Sequence, residues 1–447
     1  KYDCMRYDHI WGLTRSYADL WVPFHDQYVH CDVCFGFVHG VKCFFIDPHF
    51  DSNFFNRGVY YGHEDDHERF AFFSRAALEF LLKSGKRPDV IHAHDWETGL
   101  VPVLLYETYA PLGMHDTRVC YTLHNVHHQG ITGAYILRQA GLDPAALMTP
   151  DRLLDDNHPG AVNLMKGGIV YANFVTTVSP RYMDEIRYSH LGHGLQPVLN
   201  AQGGKLGGVL NGVDYNFWNP ETDGHIAVNY TSESLDRKYE NKQALRERLF
   251  LQDGLKPILS VVSRLDAQKG VGLVRHAMFH GLANGCQFVL LGSSQDDDIN
   301  RDFWGLKHLL NDNPDCHLEL SYDEELAHLV YAGADMMVVP STFEPCGLTQ
   351  LIAMKYGTVP VVLATGGLAD TVFDADHADV PYDERTGYTF NDMNEPGLES
   401  ALDRAIGMWY SYPEHFRELM RNGMRKDYSW NRPGQDYLNI YEHIRAK

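Results

Sequence analysis

The feature that most constrains this chain is a recurring unit: a short β-branched run that ends in a polar residue or glycine and leads into a helical stretch. Strands alternating with helices in this way build parallel sheets covered on both faces, so the fold class is α/β. Two such series are present. The first contains Asp89-Val90-Ile91-His92-Ala93-His94, Val119-Cys120-Tyr121-Thr122-Leu123-His124 and Phe174-Val175-Thr176-Thr177-Val178-Ser179. The second has strands over 257–262, 287–291, 336–340 and 359–363, the last three leading into Gly, Ser or Ala-Thr-Gly. The turn Leu210-Asn211-Gly212-Val213-Asp214 and the polar stretch 219–242 separate them. This predicts two Rossmann-like domains, 1–212 and 213–425. A closing segment, 426–447, is expected to pack back on the first domain, with helices over 398–409 and 437–445.

The chain has 447 residues, 44% hydrophobic and 12% aromatic, enough for two cores and inconsistent with general disorder. Its 59 acidic and 38 basic side chains give a formal charge of −21, with no Lys/Arg-rich run. That balance repels phosphate backbones and argues against a nucleic-acid partner, so any anionic ligand needs a focused cationic pocket. No stretch approaches about 18 uninterrupted apolar residues, which argues against a membrane partner. The eight cysteines lie mostly in apolar segments and read as free thiols of a reducing compartment. His30-Cys31-x-x-Cys34, followed by His39 and Cys43, has the form of a zinc knuckle. The alternation Val33, Phe35, Phe37 and Val41, Cys43, Phe45 around Gly40 reads better as two strands joined by a turn. The 25 histidines are scattered and read mainly as surface or satisfied core residues.

Polar residues at strand C-terminal ends face the ligand crevice of an open α/β sheet, which places His94, Asp95, His124, Asn125 and Ser179 where chemistry occurs. His92, one step inside its strand, reads as structural. In the second series, Ser263-Arg264-Leu265-Asp266-Ala267-Gln268-Lys269-Gly270 sets two cations five residues apart between a buried strand and a helix starting near Val271. In so acidic a chain that is a candidate diphosphate site. Ala364-Thr365-Gly366-Gly367-Leu368 lets backbone approach a phosphate with no side chain intervening. Between them, Phe343-Glu344-Pro345-Cys346-Gly347-Leu348-Thr349-Gln350 leads into a helix. There Glu344 can accept sugar hydroxyls or stabilise developing positive charge, and capping that helix is the plainer role.

Taken in order, these motifs resemble the bacterial glycogen synthases and plant starch synthases, retaining glycosyltransferases of the two-Rossmann (GT-B) type with the active site in the cleft between the domains. The motifs are His92-Ala93-His94-Asp95-Trp96, His124-Asn125-x-x-x-Gln129-Gly130, Val178-Ser179-Pro180, Leu210-Asn211-Gly212-Val213-Asp214, Ser263-Arg264-Leu265 with Gln268-Lys269-Gly270, Phe343-Glu344-Pro345-Cys346-Gly347-Leu348-Thr349-Gln350 and Thr365-Gly366-Gly367-Leu368. Ile352-Ala353-Met354-Lys355-Tyr356-Gly357 and Tyr428-Ser429-Trp430-Asn431-Arg432-Pro433 are most similar to the starch synthase III and IV branch. The resemblance implies transfer of glucose from ADP-glucose to the non-reducing 4-hydroxyl of an α-1,4-glucan, with retention, no cofactor and no essential metal.

It also implies residue roles. Arg264 and Lys269 neutralise the departing diphosphate; Glu344 lies by the glucose ring; Cys346 and Gly347 bind its hydroxyls through backbone amides, beside Leu348. His124 bonds the 6-hydroxyl and stabilises the oxocarbenium-like state. Asn211 holds the sugar, Tyr322 stacks on adenine, Thr349 reaches a phosphate, and Gly366 and Gly367 close on the donor. Asp95, Asn125 and Gln129 serve the acceptor side. A free Cys346 there would make activity redox-sensitive.

The family begins with a strand and a Lys-x-Gly-Gly-Leu-Gly-Asp loop, and this sequence starts downstream of it. Roughly 40 or more residues are therefore expected ahead of Lys1, supplying a strand and helix to the first domain. Leu363-Ala364 also stands where several relatives carry a basic residue. Two other functions fit the same pattern: a UDP-glucose-using GT-B enzyme, and a non-catalytic glucan-binding or initiation scaffold. The expected location is the cytoplasm of a bacterium or the plastid stroma of a plant or alga.

Overall fold

Residues 1–50 and 53–446 are described by the computed structural model. The chain divides into two units, one of Lys1–Thr177, Asp184–Gly207 and Tyr437–Lys447, the other of Val178–Met183 and Gly208–Asp436.

The first unit holds a sheet in the order Val90–His94, Arg118–Leu123, Phe174–Thr177 and Leu206–Gly208. The first three strands are parallel, with His94 opposite Thr122 and Leu123 opposite Thr177. Val119, Cys120, Tyr121 and Leu123 are buried in succession, as a strand covered on both faces requires. The register therefore brings the C-terminal ends of Val90–His94 and Arg118–Leu123 to one edge. In the terminal helix Asn431–Arg445, the rings of Tyr437 and Tyr441 lie 5.1 and 5.7 Å from that of His92.

Ahead of this sheet runs an antiparallel meander, Trp11–Phe24, Gln27–Val38 and Val41–Pro48. Its second turn, at His39-Gly40, has φ of 48° and 80°, the left-handed geometry a tight hairpin needs. The two strands expected here thus form. Cys31 is fully buried, while Cys34 and Cys43 lie half-buried on the neighbouring strands, so these thiols pack the meander. In the helix Asp66–Lys83, Phe70, Phe72 and Phe80 face the core, whereas Phe73 and the preceding Tyr60 and Tyr61 are exposed.

The second unit is built on a six-stranded parallel sheet. The order is Cys316–Glu319, Gln287–Leu291, Ile258–Val262, Met336–Val339, Val359–Leu363 and Tyr388–Phe390. Strand succession reverses between Ile258–Val262 and Met336–Val339. At such a switch point the connections leave in opposite directions and open a crevice at the strand C-termini. The loops entering that crevice follow Val262 and Val339, and both carry motif residues.

The helices here start where their caps dictate. Asp296, Asp323 and Asn394 accept from backbone amides at the starts of Asp297–Leu309, Glu324–Gly333 and Glu395–Ser411. The helix Lys238–Leu249 is strongly polar in composition and still buries Lys238. Its Nζ donates to the carbonyls of Tyr331, Ala332 and Tyr356 and to Thr358 Oγ1, all at 2.9–3.0 Å. Burial lowers this amine to about 7, and its acceptors hold it there. Lys238→Met would strand several buried acceptors, and we expect a loss of about 2–3 kcal/mol in urea unfolding. An unchanged midpoint would show that these contacts contribute nothing.

Candidate active site

The second unit brings its three motif loops together. Asp266 caps the turn Ala267–Lys269 by accepting from Lys269 N (3.0 Å), and this fixes where the lysine leaves the backbone. Lys269 Nζ donates to Glu344 Oε2 at 2.5 Å, and Ser341 Oγ donates to the same oxygen at 2.9 Å. The Glu344 residue is only 8% exposed. Thr342 N donates to Gln268 O (2.8 Å) and Gln268 Nε2 to Phe343 O (3.2 Å), tying the two loops at the switch point.

The Gly366-Gly367 loop closes on the same place. Gly367 N donates to Glu344 O at 3.0 Å, and Leu368 N to Thr365 O at 3.0 Å. A Cβ on Gly366 would collide with Glu344 O, and one on Gly367 with Cys346 O. The glycine pair is therefore required by backbone packing against the Glu344 loop. The helix it opens, Gly366–Thr371, has six residues. Gln350 Nε2 donates to the carbonyls of Cys346 (3.1 Å) and Gly347 (3.0 Å) and to Thr371 Oγ1 (3.1 Å), fixing the turn in which Gly347 has φ 73°. Thr349 begins the helix Thr349–Lys355, and Leu348 is exposed just before it.

The Asn211 backbone N–H is directed at the Cys346 thiol. Cys346 is buried, and burial pushes its thiol up to about 12. The thiol form therefore prevails at neutral pH, and the expected redox sensitivity is not supported, since the thiolate is the reactive species.

Arg264 is exposed and pairs with Asp266 at 3.3 Å. It lines a cavity of about 260 Å³ with Trp218, Val262, Leu291, Tyr322 and Tyr331. Tyr322 is 83% exposed, its ring open to a planar partner. An apolar cavity with a flat ring and a guanidinium at its mouth has the chemistry to hold a base and the phosphate next to it.

In the first unit, Asp95 follows Val90–His94 with φ 53°, a strained value for a residue bearing a side chain. Its Oδ1 accepts from His124 N at 2.7 Å and, more loosely, from Asn125 N at 3.4 Å. Burial raises this carboxyl to about 6. His94 Nδ1 lies 3.0 Å from His124 Nε2, and His94 stacks on His92 with centroids 4.2 Å apart. His92 is engaged on both sides, by Tyr441 and by Thr122 Oγ1, each at 2.6 Å. It is structural, as read from its place inside the strand.

Burial lowers all three imidazoles, and the neighbouring rings lower His92 and His94 further, to about 3 and about 4. His94 is exposed as a residue, but its ring packs between the other two. A neutral His124 offers hydrogen bonds without charge. Gln129 is buried, donating to Val126 O (3.0 Å) and His193 O (3.1 Å) and accepting from Asn163 Nδ2 (2.7 Å).

Sequence reasoning missed Ser341 as a second donor to Glu344 and His94 as the ring beside His124. It also missed the bond from Ser179 Oγ to Asp370 Oδ2 (2.6 Å), which joins residues 191 positions apart and leaves no local signal. Ser179, read as belonging to the first domain's ligand edge, is buried in the second unit.

Comparison with known proteins gives concordant matches. Residues 1–201 match the starch synthase catalytic domain family, and residues 242–422 match glycosyl transferases group 1. The chain is 66% identical to glycogen synthase 1 of Nitrosococcus oceani over 444 residues, covering 99% of this chain and 91% of that protein. It is 64% identical to glycogen synthase 2 of Methylococcus capsulatus over 448 residues, covering 100% and 92%. The catalytic domain of starch synthase IV from Arabidopsis thaliana, solved with ADP and acarbose, superposes with a TM-score of 0.97. That match is at 42% identity and covers 100% of this chain and 91% of that one.

The histidine ladder generates a pH prediction. A ring with a depressed folded-state value contributes stability that is complete above its unfolded value of 6.5. That stability drains as pH falls toward about 4 for His94 and about 3 for His92. Asp95, raised to about 6, acts in the opposite sense, so the test is differential. Relative to the parent, His92→Gln should lose less stability between pH 7 and pH 4.5 in thermal melts. Parallel melting curves for the two proteins would contradict the assignment.

Proposed function

This chain belongs to the glycogen and starch synthase family of GT-B glycosyltransferases, and on that premise we propose that it moves glucose from ADP-glucose, with retention, to the non-reducing 4-hydroxyl of an α-1,4-glucan. It is a glycosyltransferase enzyme. The observation that carries the proposal is the buried Glu344 carboxylate, held by Lys269 and Ser341 at the switch point beside the Arg264–Tyr322 cavity.

In this reading the second unit is the donor side. Adenine lies on Tyr322, and Arg264 and Lys269 meet the negative charge that builds on the diphosphate as the glycosidic bond lengthens. Glu344 stands by the glucose ring, where its charge favours the oxocarbenium-like state. Asn211 and the amides of Cys346 and Gly347 hold sugar hydroxyls. Leu348, Gly366 and Gly367 shape the adjoining wall, and Thr349 lies toward the phosphates. The first unit is the acceptor side: neutral His124 donates to the 6-hydroxyl, Asp95 holds His124 and Asn125 in place, and Gln129 braces the loop behind them. The assignment of 1–212 to acceptor and 213–425 to donor, with 426–447 closing the chain, is part of the proposal. So are action without a cofactor and a bacterial cytoplasmic location, which the bacterial relatives support. No helix among the described residues is long and apolar enough to cross a membrane.

Transfer to maltoheptaose from ADP-glucose and from UDP-glucose tests this directly. ADP-glucose should be favoured about tenfold or more in kcat/KM, equivalent to at least about 1.4 kcal/mol. Tyr322→Ala should raise KM for ADP-glucose about tenfold with little change in kcat, the loss expected for one stacked base. Equal use of UDP-glucose would overturn the donor assignment, and maltoheptaose binding without turnover would indicate a scaffold.

A further inference from the structure

Far along the second unit, two helices face each other with polar residues at matching intervals. Val271–Ala283 carries His276 and His280, and Glu395–Ser411 carries Glu395, Glu399 and Asp403. A spacing of four puts each set on one face of its helix. Among the histidines of the chain, these two are arranged unlike a satisfied pair on a surface.

Glu399 Oε1 sits between the rings, 2.8 Å from His276 Nε2 and 3.5 Å from His280 Nδ1. The remaining nitrogen of each ring meets a different carboxylate. His280 Nε2 lies 2.7 Å from Asp403 Oδ1, and His276 Nδ1 lies 3.4 Å from Glu395 Oε1. The rings are close to parallel, 22° apart, with centroids separated by 6.1 Å. His276, His280 and Glu399 each offer a ligand atom within 4.8 Å of the others.

These distances suit one small divalent cation. With metal–nitrogen and metal–oxygen bonds near 2.0–2.1 Å, a tetrahedral site has ligand–ligand edges of about 3.3 Å. The two distances from Glu399 Oε1 bracket that edge, so sub-ångström adjustments would close the site. Metal-bound histidines also direct their second nitrogen to a carboxylate, which fixes the tautomer and ring orientation. Asp403 and Glu395 already stand in that position. The other cluster of potential ligands among the described residues, Asp374, Asp376 and His377, lacks this character. There Arg404 Nη1 lies 2.8 Å from Asp374 and 2.9 Å from Asp376, so a cation already occupies the carboxylates.

We propose that His276, His280 and Glu399 form a binding site for a zinc-class divalent cation, oriented by Asp403 and Glu395, that pins Val271–Ala283 to Glu395–Ser411. The imidazole–carboxylate set favours zinc over magnesium or calcium, which take oxygen ligands. Three protein ligands leave a fourth position for water. The site stands apart from the proposed chemistry and is structural. Val271–Ala283 begins directly after Lys269-Gly270, so the ion would stiffen the helix that follows the donor loop.

The test uses the full chain stripped of metal with a chelator. Zinc chloride is titrated calorimetrically, and cobalt(II) is added in parallel to read its visible ligand-field absorption. Expected are one site per chain, a tetrahedral cobalt spectrum and a melting temperature raised by zinc. His276→Gln/His280→Gln and, separately, Glu399→Gln should abolish all three. Asp403→Asn should weaken zinc ~10- to 100-fold while keeping the cobalt spectrum. If the parent protein and the double variant bind zinc alike and melt alike with it, the cluster is a set of histidine–carboxylate ion pairs and the proposal fails. Transfer activity should be unchanged in the Glu399→Gln variant without metal.

Discussion

The donor unit is organised around one buried ion pair, Lys269 with Glu344. A carboxylate taken out of water is costly unless it is paired and hydrogen-bonded, and here one oxygen receives both an ammonium and the Ser341 hydroxyl. Satisfying it draws three loops into contact at the strand ends on either side of the topological reversal. That contact dictates the glycines. Gly270 has φ 68°, and a Cβ there would strike Pro340 O, as Cβ atoms on Gly366 and Gly367 would strike the Glu344 loop. The pair also sets charge where a glycosyl transfer needs it, a carboxylate for developing positive charge and a cation for the leaving phosphate.

The first unit solves a related problem with different chemistry. Asp95 adopts a strained backbone so that its carboxylate can receive the His124 amide. Its raised value and the depressed values of the histidine ladder share one cause, burial of groups whose charged forms lose water. The outcome is a neutral imidazole in a fixed position, suited to recognising a hydroxyl.

Much of this was legible in the sequence. Strands ending in His94, His124, Val262 and Val339 announce themselves because a buried parallel strand must be apolar and its end need not be. The motif loops were legible for the same reason, since polar residues and glycines stand out after β-branched runs. What stayed hidden was pairing across distance. Nothing local marks Lys269 as the partner of Glu344, or Asp370 as the partner of Ser179. The glycine pair, read as a phosphate cradle, proved to be demanded by the approach of another loop. Cys346 shows the limit of reading reactivity from position: its burial, visible only in the fold, raises the thiol out of the reactive range.

A double-mutant cycle on the ion pair tests the central claim most directly. Glucose transfer from ADP-glucose would be measured for Lys269→Met, Glu344→Gln and the combination. If the two side chains act as one unit, the double variant will lose little more kcat/KM than the worse single variant. If the two losses multiply, Lys269 and Glu344 work independently, and the pair is not what organises the site.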